Sequence, residues 1–279
     1  MSYYIVLLVL VAALLHASWN VIVKSGDNKL FEMAMNALGG ALGVLCLAPL
    51  VSLPAPGSLW LLALAMFFHL LYYLCITSAY READLSLCYP IMRGTAPMLT
   101  ALVLCVAGVP LSLTGGVGVA VLCVGIVSLA LEQKFSRHSG MRGVFLALRT
   151  SVCIMGYTLA DGYGARAAGD ALTYIFWLHI LNAVSMHTLV LARHGRAYAV
   201  YLRKFWRRGL VGGLAGLGSY GIAIWAMCLA PIALVAALRE TSVIFAMILA
   251  VFFLGEKLTR ARVLAVLLVL AGAMILRLG

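Results

Sequence analysis

The chain has 279 residues, of which 65% are hydrophobic and only 10% are charged, and its mean hydropathy is +1.08. This composition excludes a soluble globular protein of the same size, which would need far more polar surface. The net charge of +11 raises the question of nucleic acid. However, the basic residues lie in short segments between apolar runs and form no recognition motif, so we expect no nucleic-acid partner and instead a lipid bilayer.

The apolar runs predict ten transmembrane helices, since a span needs about 17–25 mostly apolar residues. Lipid permits only helices or closed barrels, and these runs are too long for barrel strands. The predicted spans are 3–23, 30–51, 58–79, 85–107, 113–131, 143–161, 171–192, 209–229, 232–254 and 260–278. The first run has no basic segment before it and no small-residue cleavage site, so we interpret it as a span rather than a cleavable signal.

The sequence repeats internally when it is shifted by 147 residues. This register aligns Gly125 with Gly272 and places Arg93 on Glu240. It predicts one domain of five helices at 1–131, a polar connecting loop at 132–142 and a second domain of five helices at 143–279. Because five is odd, the second domain must be inserted upside down relative to the first, and such inverted repeats are common in secondary transporters.

The fourth span carries the segment Tyr89-Pro90-Ile91-Met92-Arg93-Gly94, which places a permanent charge inside an apolar run. An arginine near the bilayer centre costs about 2.5–3.5 kcal/mol on insertion scales, so it should face a partner or a cavity. Arg239 and Glu240 occupy an equally apolar setting in the ninth span. The second half lacks counterparts of Pro90 and Pro97, so only the fourth span is predicted to kink.

Two interpretations of these charges remain open. In the first, Arg93 binds an anionic group of the substrate, while Glu240 binds an amino group or is the candidate for the coupled proton. In the second, a buried pair of Glu240 with Arg93 or Arg239 fixes the register of the two halves without touching substrate.

Helical spacing places further polar and aromatic side chains on shared faces deep within the spans. The predicted substrate-binding residues are His16, Trp19, Asn20, Tyr73, Tyr89, Arg93, Tyr157, Tyr220, Arg239 and Glu240. We interpret them as an aromatic cavity wall with a few convergent polar groups. The alternative is that they serve helix packing and interfacial anchoring. For His69, and for Asp161 at the end of its predicted span, the packing interpretation is favoured.

Three segments carry a resemblance to a known family. They are Leu14-Leu15-His16-Ala17-Ser18-Trp19-Asn20, Tyr89-Pro90-x-x-Arg93-Gly94-x-x-Pro97, and Ala237-Leu238-Arg239-Glu240-Thr241-Ser242 continuing to Gly255-Glu256-Lys257-Leu258-Thr259. With its two five-helix halves, the chain resembles an EamA-type member of the drug/metabolite transporter superfamily. The resemblance implies ten helices around a central cavity and transport of small metabolites by alternating access. The first-half turn at 108–112 lacks the acidic residue of the second copy, so Glu256 has no counterpart there.

We therefore predict an all-α integral membrane protein with ten transmembrane helices, arranged as two inverted five-helix repeats around a central cavity. Its predicted function is secondary transport of small polar or amphipathic metabolites, such as amino-acid-like or amine compounds, by export. The alternatives are a multidrug or quaternary-cation efflux pump and a lipid-linked sugar flippase. A membrane-embedded enzyme is disfavoured because the ionisable groups form no set of acid, base and nucleophile.

Partners and location follow from the same patterns. The seven cysteines show no metal-ligand spacing, so we expect neither metal nor cofactor. The positive-inside rule places the basic segments, above all 193–208, in the cytoplasm of an inner (plasma) membrane protein with both termini on the other side. Glycines spaced four apart permit close helix contacts in either a monomer or a homodimer.

Overall fold

A computed structural model describes residues 2–82, 85–109, 111–131, 140–254 and 259–278. In these ranges the chain forms α-helices and a short 3₁₀ helix at Ala48–Leu50, and no strand. The helices are α1 (Tyr3–Lys24), α2 (Lys29–Leu45), α3 (Pro56–Glu82), α4 (Leu85–Val106), α5 (Leu113–Leu131), α6 (Gly140–Ala167), α7 (Ala171–Leu229), α8 (Ile232–Arg239), α9 (Ser242–Leu254) and α10 (Arg260–Leu278).

Polar caps and prolines set several helix ends. The Asn28 side chain accepts hydrogen bonds from the backbone N–H groups of Leu30 and Phe31 and so starts α2. The prediction that this helix continues to residue 51 was wrong: α2 ends at Leu45, and the chain tightens into the 3₁₀ helix with Pro49 near its start. Asp170 caps α7 in the same way, with the Thr173 N–H donating to its carboxylate at 2.9 Å.

Helix α7 has 59 residues but folds back on itself. A straight helix of that length would extend about 88 Å, yet a Cβ placed on Gly221 would lie 3.5 Å from Ile175 Cγ2. The reversal lies between Gly195 and Phe205, which both have non-helical backbone angles. Its two arms correspond to the predicted seventh and eighth spans, and the basic segment between them, expected to be a loop, is largely helical.

The predicted ninth span is interrupted, although the sequence pointed only to the fourth span as irregular. Helix α4 continues without a break through Pro90 and Pro97. In the second half, α8 ends at Arg239 and α9 begins at Ser242, although no proline lies between them. Glu240 N–H bonds to Ala237 O and the Thr241 hydroxyl to Leu238 O, so a tight turn replaces the regular helical bonds there.

Glycines permit the closest helix contacts. Gly39 on α2 faces the second arm of α7, where a Cβ on Gly39 would lie 2.9 Å from Leu210 Cα and 3.0 Å from Gly213 Cα. Helices α5 and α10 approach through Gly125 and Gly272. Small residues at such crossings let helix backbones approach closely, as in membrane bundles.

Several helices have the length and composition of membrane spans. Among the described residues, five qualify: Tyr3–Lys24, Pro56–Ala79, Cys88–Val106, Met141–Ala167 and Ala171–Leu229. Shorter apolar helices cover Leu113–Ser128 and Val263–Leu276. Most of the large side chains exposed along these helices are aliphatic, which suits a lipid-facing surface rather than an aqueous one.

Candidate functional site

A cavity of about 100 Å³ lies among α1, α2, α3, α4, α6, α7 and α8. Its wall combines aromatic rings with polar and charged side chains, in the way that small-molecule sites do. It includes seven of the predicted site residues: His16, Trp19, Tyr73, Arg93, Tyr157, Tyr220 and Arg239. The other three, Asn20, Tyr89 and Glu240, are not part of this wall.

Glu240 lies between two arginines at the break between α8 and α9. Its Oε2 is 2.6 Å from Arg93 Nε, and its Oε1 is 3.8 Å from Arg239 Nη2. All three residues are at least 96% buried. Arg93 also donates a hydrogen bond of 3.3 Å to the Ser242 hydroxyl, the first residue of α9. Glu240, the residue that the repeat register aligns with Arg93, is therefore its ion-pair partner, and it lies at the break between α8 and α9.

The charged centre retains unused hydrogen-bonding capacity. Arg93 Nε and Glu240 Oε2 are close, but the angles do not make a hydrogen bond, and Arg239 Nε also has no hydrogen-bond partner. The side-chain oxygens of Asn36 and Asn182, which also line the cavity, are buried without partners. Buried polar atoms are nearly always bonded. Residues of the cavity wall therefore hold both donors and acceptors that the protein itself does not satisfy.

Aromatic side chains support both arginines. The Arg93 guanidinium carbon lies 5.9 Å from the centroid of the Tyr89 ring, and that of Arg239 lies 5.2 Å from the centroid of the Tyr220 ring. These are cation–π distances. Tyr89 thus contacts Arg93 from outside the cavity wall, whereas Tyr220 is part of the wall.

The remaining predicted residues divide between the cavity and the helix backbone. Trp19 Nε1–H donates to His16 Nδ1 at 3.3 Å, and both rings line the cavity. Asn20 donates to the backbone oxygen of His16 at 2.8 Å, so its amide is used within α1. The Tyr73 hydroxyl accepts from Asn182 Nδ2 at 3.1 Å, which ties α3 to the first arm of α7.

A second polar cluster surrounds Asp161. Its carboxylate lies 2.9 Å from His69 Nε2 and accepts hydrogen bonds from the hydroxyls of Tyr174, at 3.0 Å, and Tyr220. The His69 ring stacks on Tyr157, with 4.4 Å between centroids and 11° between planes. Asp161 is fully buried because α6 continues to Ala167, six residues beyond the predicted end of the span.

Sequence reasoning missed Asn36 and Asn182 as cavity residues, and it favoured a packing role for His69 and Asp161. The available signal was weak: each is a single polar residue in an apolar helix. His69 and Asp161 meet across 92 residues and do not correspond in the repeat register. Within the described ranges, no group of three or more His, Cys, Asp or Glu side chains is placed to hold a metal ion.

A larger cavity of about 440 Å³ lies between α4, α5 and α6. Its lining is almost entirely aliphatic, and several of its side chains, including Met98 and Leu102, are exposed on the outer surface. Among the described residues, no charged side chain lines it. The smaller cavity is therefore the candidate site, because only it combines a concave wall with convergent polar groups.

Comparisons with known proteins bear on the family and the fold of this chain. Residues 141–278 match the model of the EamA-like transporter family. A solved structure, described only as "Crystal structure of protein", aligns with 100% of this chain and 98% of its own, with a TM-score of 0.77 and 17% sequence identity. That identity supports a shared fold and nothing more. No curated protein matches the sequence significantly.

Proposed function

Because this chain belongs to the EamA-like transporter family, within the drug/metabolite transporter superfamily, we propose that it exports small zwitterionic metabolites such as amino acids by alternating access. The observation that carries this proposal is the distribution of unpaired polar atoms around the cavity. Arg239 Nε, which has no hydrogen-bond partner, and the Arg93 guanidinium at the cavity wall can donate to a carboxylate, and Asn36 Oδ1 and Asn182 Oδ1 can accept from an ammonium group.

This assignment changes the role that the sequence suggested for Glu240. The carboxylate does not line the cavity and already faces two guanidinium groups. In the proposed mechanism it holds the arginines in place, and the ammonium group of the substrate is bound on the asparagine side. Arginines on the cavity wall also disfavour the quaternary-cation pump, because a lipophilic cation would face two positive charges.

The size of the cavity suits an occluded state of a transport cycle. Ligand pockets usually enclose about 300 Å³ or more, and this cavity encloses about 100 Å³. At the basic end, Glu32 on α2 accepts a 2.8 Å hydrogen bond from the Tyr201 hydroxyl and lies 3.4 Å from Arg208 Nε. We expect these contacts between α2 and α7 to separate when the cavity opens at that end.

The helix packing supports two inverted halves that move against each other. A Cβ on Gly125 would lie 2.9 Å from Val269 N, and a Cβ on Gly272 would lie 2.7 Å from Leu122 Cα. The shift of 147 residues carries position 125 onto 272 and position 122 onto 269. The first contact therefore joins 125 to 269 and the second joins 272 to 122, so each contact is the other with the two halves exchanged. Reciprocal contacts of this kind are expected around a two-fold axis, here between α5 and α10.

We propose that the basic end faces the cytoplasm and that both termini lie on the opposite side of the inner membrane. In support, Arg208 of the basic segment donates to Ile22 O and the Ser25 hydroxyl, which brings that segment beside the loop with Lys24 and Lys29. Positive charge at one end favours the cytoplasmic side. Fusions of alkaline phosphatase and green fluorescent protein to the C-terminus test this: activity of the phosphatase is expected, and fluorescence alone would reverse the orientation.

A ligand screen followed by a transport assay tests the function. Purified protein is melted with L-amino acids, primary amines, phosphonates or tetraphenylphosphonium, since a ligand at 100 times its Kd stabilises the folded state by about 2.7 kcal/mol. We expect amino acids to stabilise it most. Exchange of radiolabelled amino acids is then measured by counterflow in proteoliposomes. Arg93→Gln should abolish the exchange. The control Arg203→Gln, which changes an exposed arginine of α7, should not. Stabilisation by tetraphenylphosphonium alone would favour the efflux pump instead.

A further inference from the structure

Besides the arginine centre, the cavity borders a pair of ionisable groups whose net charge can change. His69 is part of the cavity wall, whereas Asp161 lies behind it with no exposed surface. His69 Nε2 lies 2.9 Å from the carboxylate, so Nδ1 is the other ring position that can hold a proton. Within the described part of the chain, His69 is the only basic side chain within ion-pair distance of Asp161.

The groups facing this pair come from α6 and α7. Tyr174 and Tyr220 on α7 donate their hydroxyls to Asp161, Tyr157 on α6 stacks on His69, and His179 on α7 also borders the cavity. The two tyrosine hydroxyls and one nitrogen of the His69 ring converge on the Asp161 carboxyl group. An imidazole has a second ring nitrogen, which can take up a proton while the first one bonds to a carboxylate.

We propose that His69 and Asp161 form the proton-binding site of the transporter. A proton from water in the cavity binds the lone pair of His69 Nδ1, and Asp161 stabilises the resulting imidazolium. This differs from the sequence-based candidate, Glu240, which has a permanent counter-charge from Arg93 and Arg239 and does not line the cavity. The use of the proton to drive transport rests on the proposed function, whereas its binding does not.

Tyr220 connects the proton site to the substrate site. Its hydroxyl donates to Asp161, and its ring lies under the Arg239 guanidinium, 5.2 Å from the centroid. Tyr220 contacts Tyr157 edge to face, with 6.0 Å between ring centroids, and Tyr157 stacks on His69. A change in charge at His69 therefore alters the surroundings of the arginine that is proposed to bind the substrate carboxylate, and by linkage the substrate alters proton binding.

Proton uptake by the purified protein tests the site without any substrate. The full chain in detergent is titrated from about pH 8 to pH 5, the range in which histidine changes charge. The wild type and Asp27→Asn, which removes an exposed carboxylate before α2, should take up one more proton per chain than Asp161→Asn. His69→Gln leaves Asp161 with two tyrosine donors and should lose the same proton. If both variants are monodisperse and take up as many protons as the wild type, the proposed site is wrong.

Coupling is tested in proteoliposomes with a radiolabelled mixture of L-amino acids as the probe. For exchange of one proton per substrate, the wild type should accumulate the probe up to about tenfold per pH unit, since a tenfold ratio corresponds to about 1.4 kcal/mol. Asp161→Asn should lose this accumulation. Equal accumulation by both proteins would overturn the coupling. If the wild type shows no counterflow of any amino acid, the proposed function fails, and the titration still decides whether the proton site exists.

Discussion

The arrangement of Arg93, Arg239 and Glu240 predicts an unequal response to removing each charge. Glu240→Gln leaves two buried guanidinium groups without a counter-charge, and removing one partner of a buried pair costs about 3–5 kcal/mol. Arg93→Gln removes the shorter of the two ion pairs and the hydrogen bond to Ser242 but leaves Glu240 opposite Arg239, so it should cost less, about 1–3 kcal/mol. Arg239→Gln, the matched change, should cost less again, because coulombic attraction at 3.8 Å is about one and a half times weaker than at 2.6 Å.

Thermal unfolding of the three variants in the same detergent at neutral pH measures this order. A loss of 1 kcal/mol lowers the Tm of a chain of about 150–250 residues by about 2–4 °C, so Glu240→Gln should melt at least about 6 °C below the wild type. Arg93→Gln should lie between it and Arg239→Gln. If Arg93→Gln melts lower than Glu240→Gln, or if Glu240→Gln melts with the wild type, the carboxylate does not hold the two arginines and the electrostatic reasoning fails.

Three further predictions concern helix packing and capping. Gly39→Ala should destabilise the α2–α7 crossing by about 1–3 kcal/mol through overpacking. The control Gly116→Ala, with open space around the glycine, should be neutral or slightly stabilising. If the two variants melt at the same temperature, the close contact at Gly39 is wrong. Gly125→Ala and Gly272→Ala should cost similar amounts if the halves are related by a two-fold axis, and a large difference would argue against it. Burial would raise the pKa of Asp170, but hydrogen bonds from the Thr173 and Leu172 N–H groups outweigh it and lower the pKa below 3.8. Asp170→Ala should therefore cost about 1 kcal/mol at neutral pH and less once the pH falls through the pKa of the folded state. Melting temperatures of the variant and the wild type, measured at neutral and at acidic pH, test this.

The helices could be predicted from the sequence because hydropathy is a local property. Apolar runs of sufficient length predicted helices in the right order, and the shift of 147 paired Arg93 with Glu240 before any contact was known. The ends were less accurate where a local feature competed with the apolar pattern. Pro49 ended α2 early, and α6 continued past Asp161 because that carboxylate has partners inside the protein.

The polar network could not be predicted because it depends on which faces of distant helices meet. Asp161 is satisfied by His69 and by two tyrosines from different arms of α7, and none of these contacts leaves a periodic signal. The break between α8 and α9 was also unpredictable from proline content. There, two buried arginines stabilise a carboxylate at a point where the helix ends, so the position of the turn depends on tertiary contacts.

The two positions that the shift of 147 residues aligns, 93 and 240, carry opposite charges. Arg93 lies on an unbroken helix, whereas Glu240 lies at a break between two helices. A symmetrical pair of like charges would repel at that distance, whereas opposite charges bind the halves together at the cavity. The second arginine, Arg239, leaves this centre with a net positive charge, and a buried carboxylate, Asp161, is linked to it through Tyr220. A substrate carboxylate and a proton at His69 would therefore act on the same electrostatic balance, which is the condition for one to drive the other.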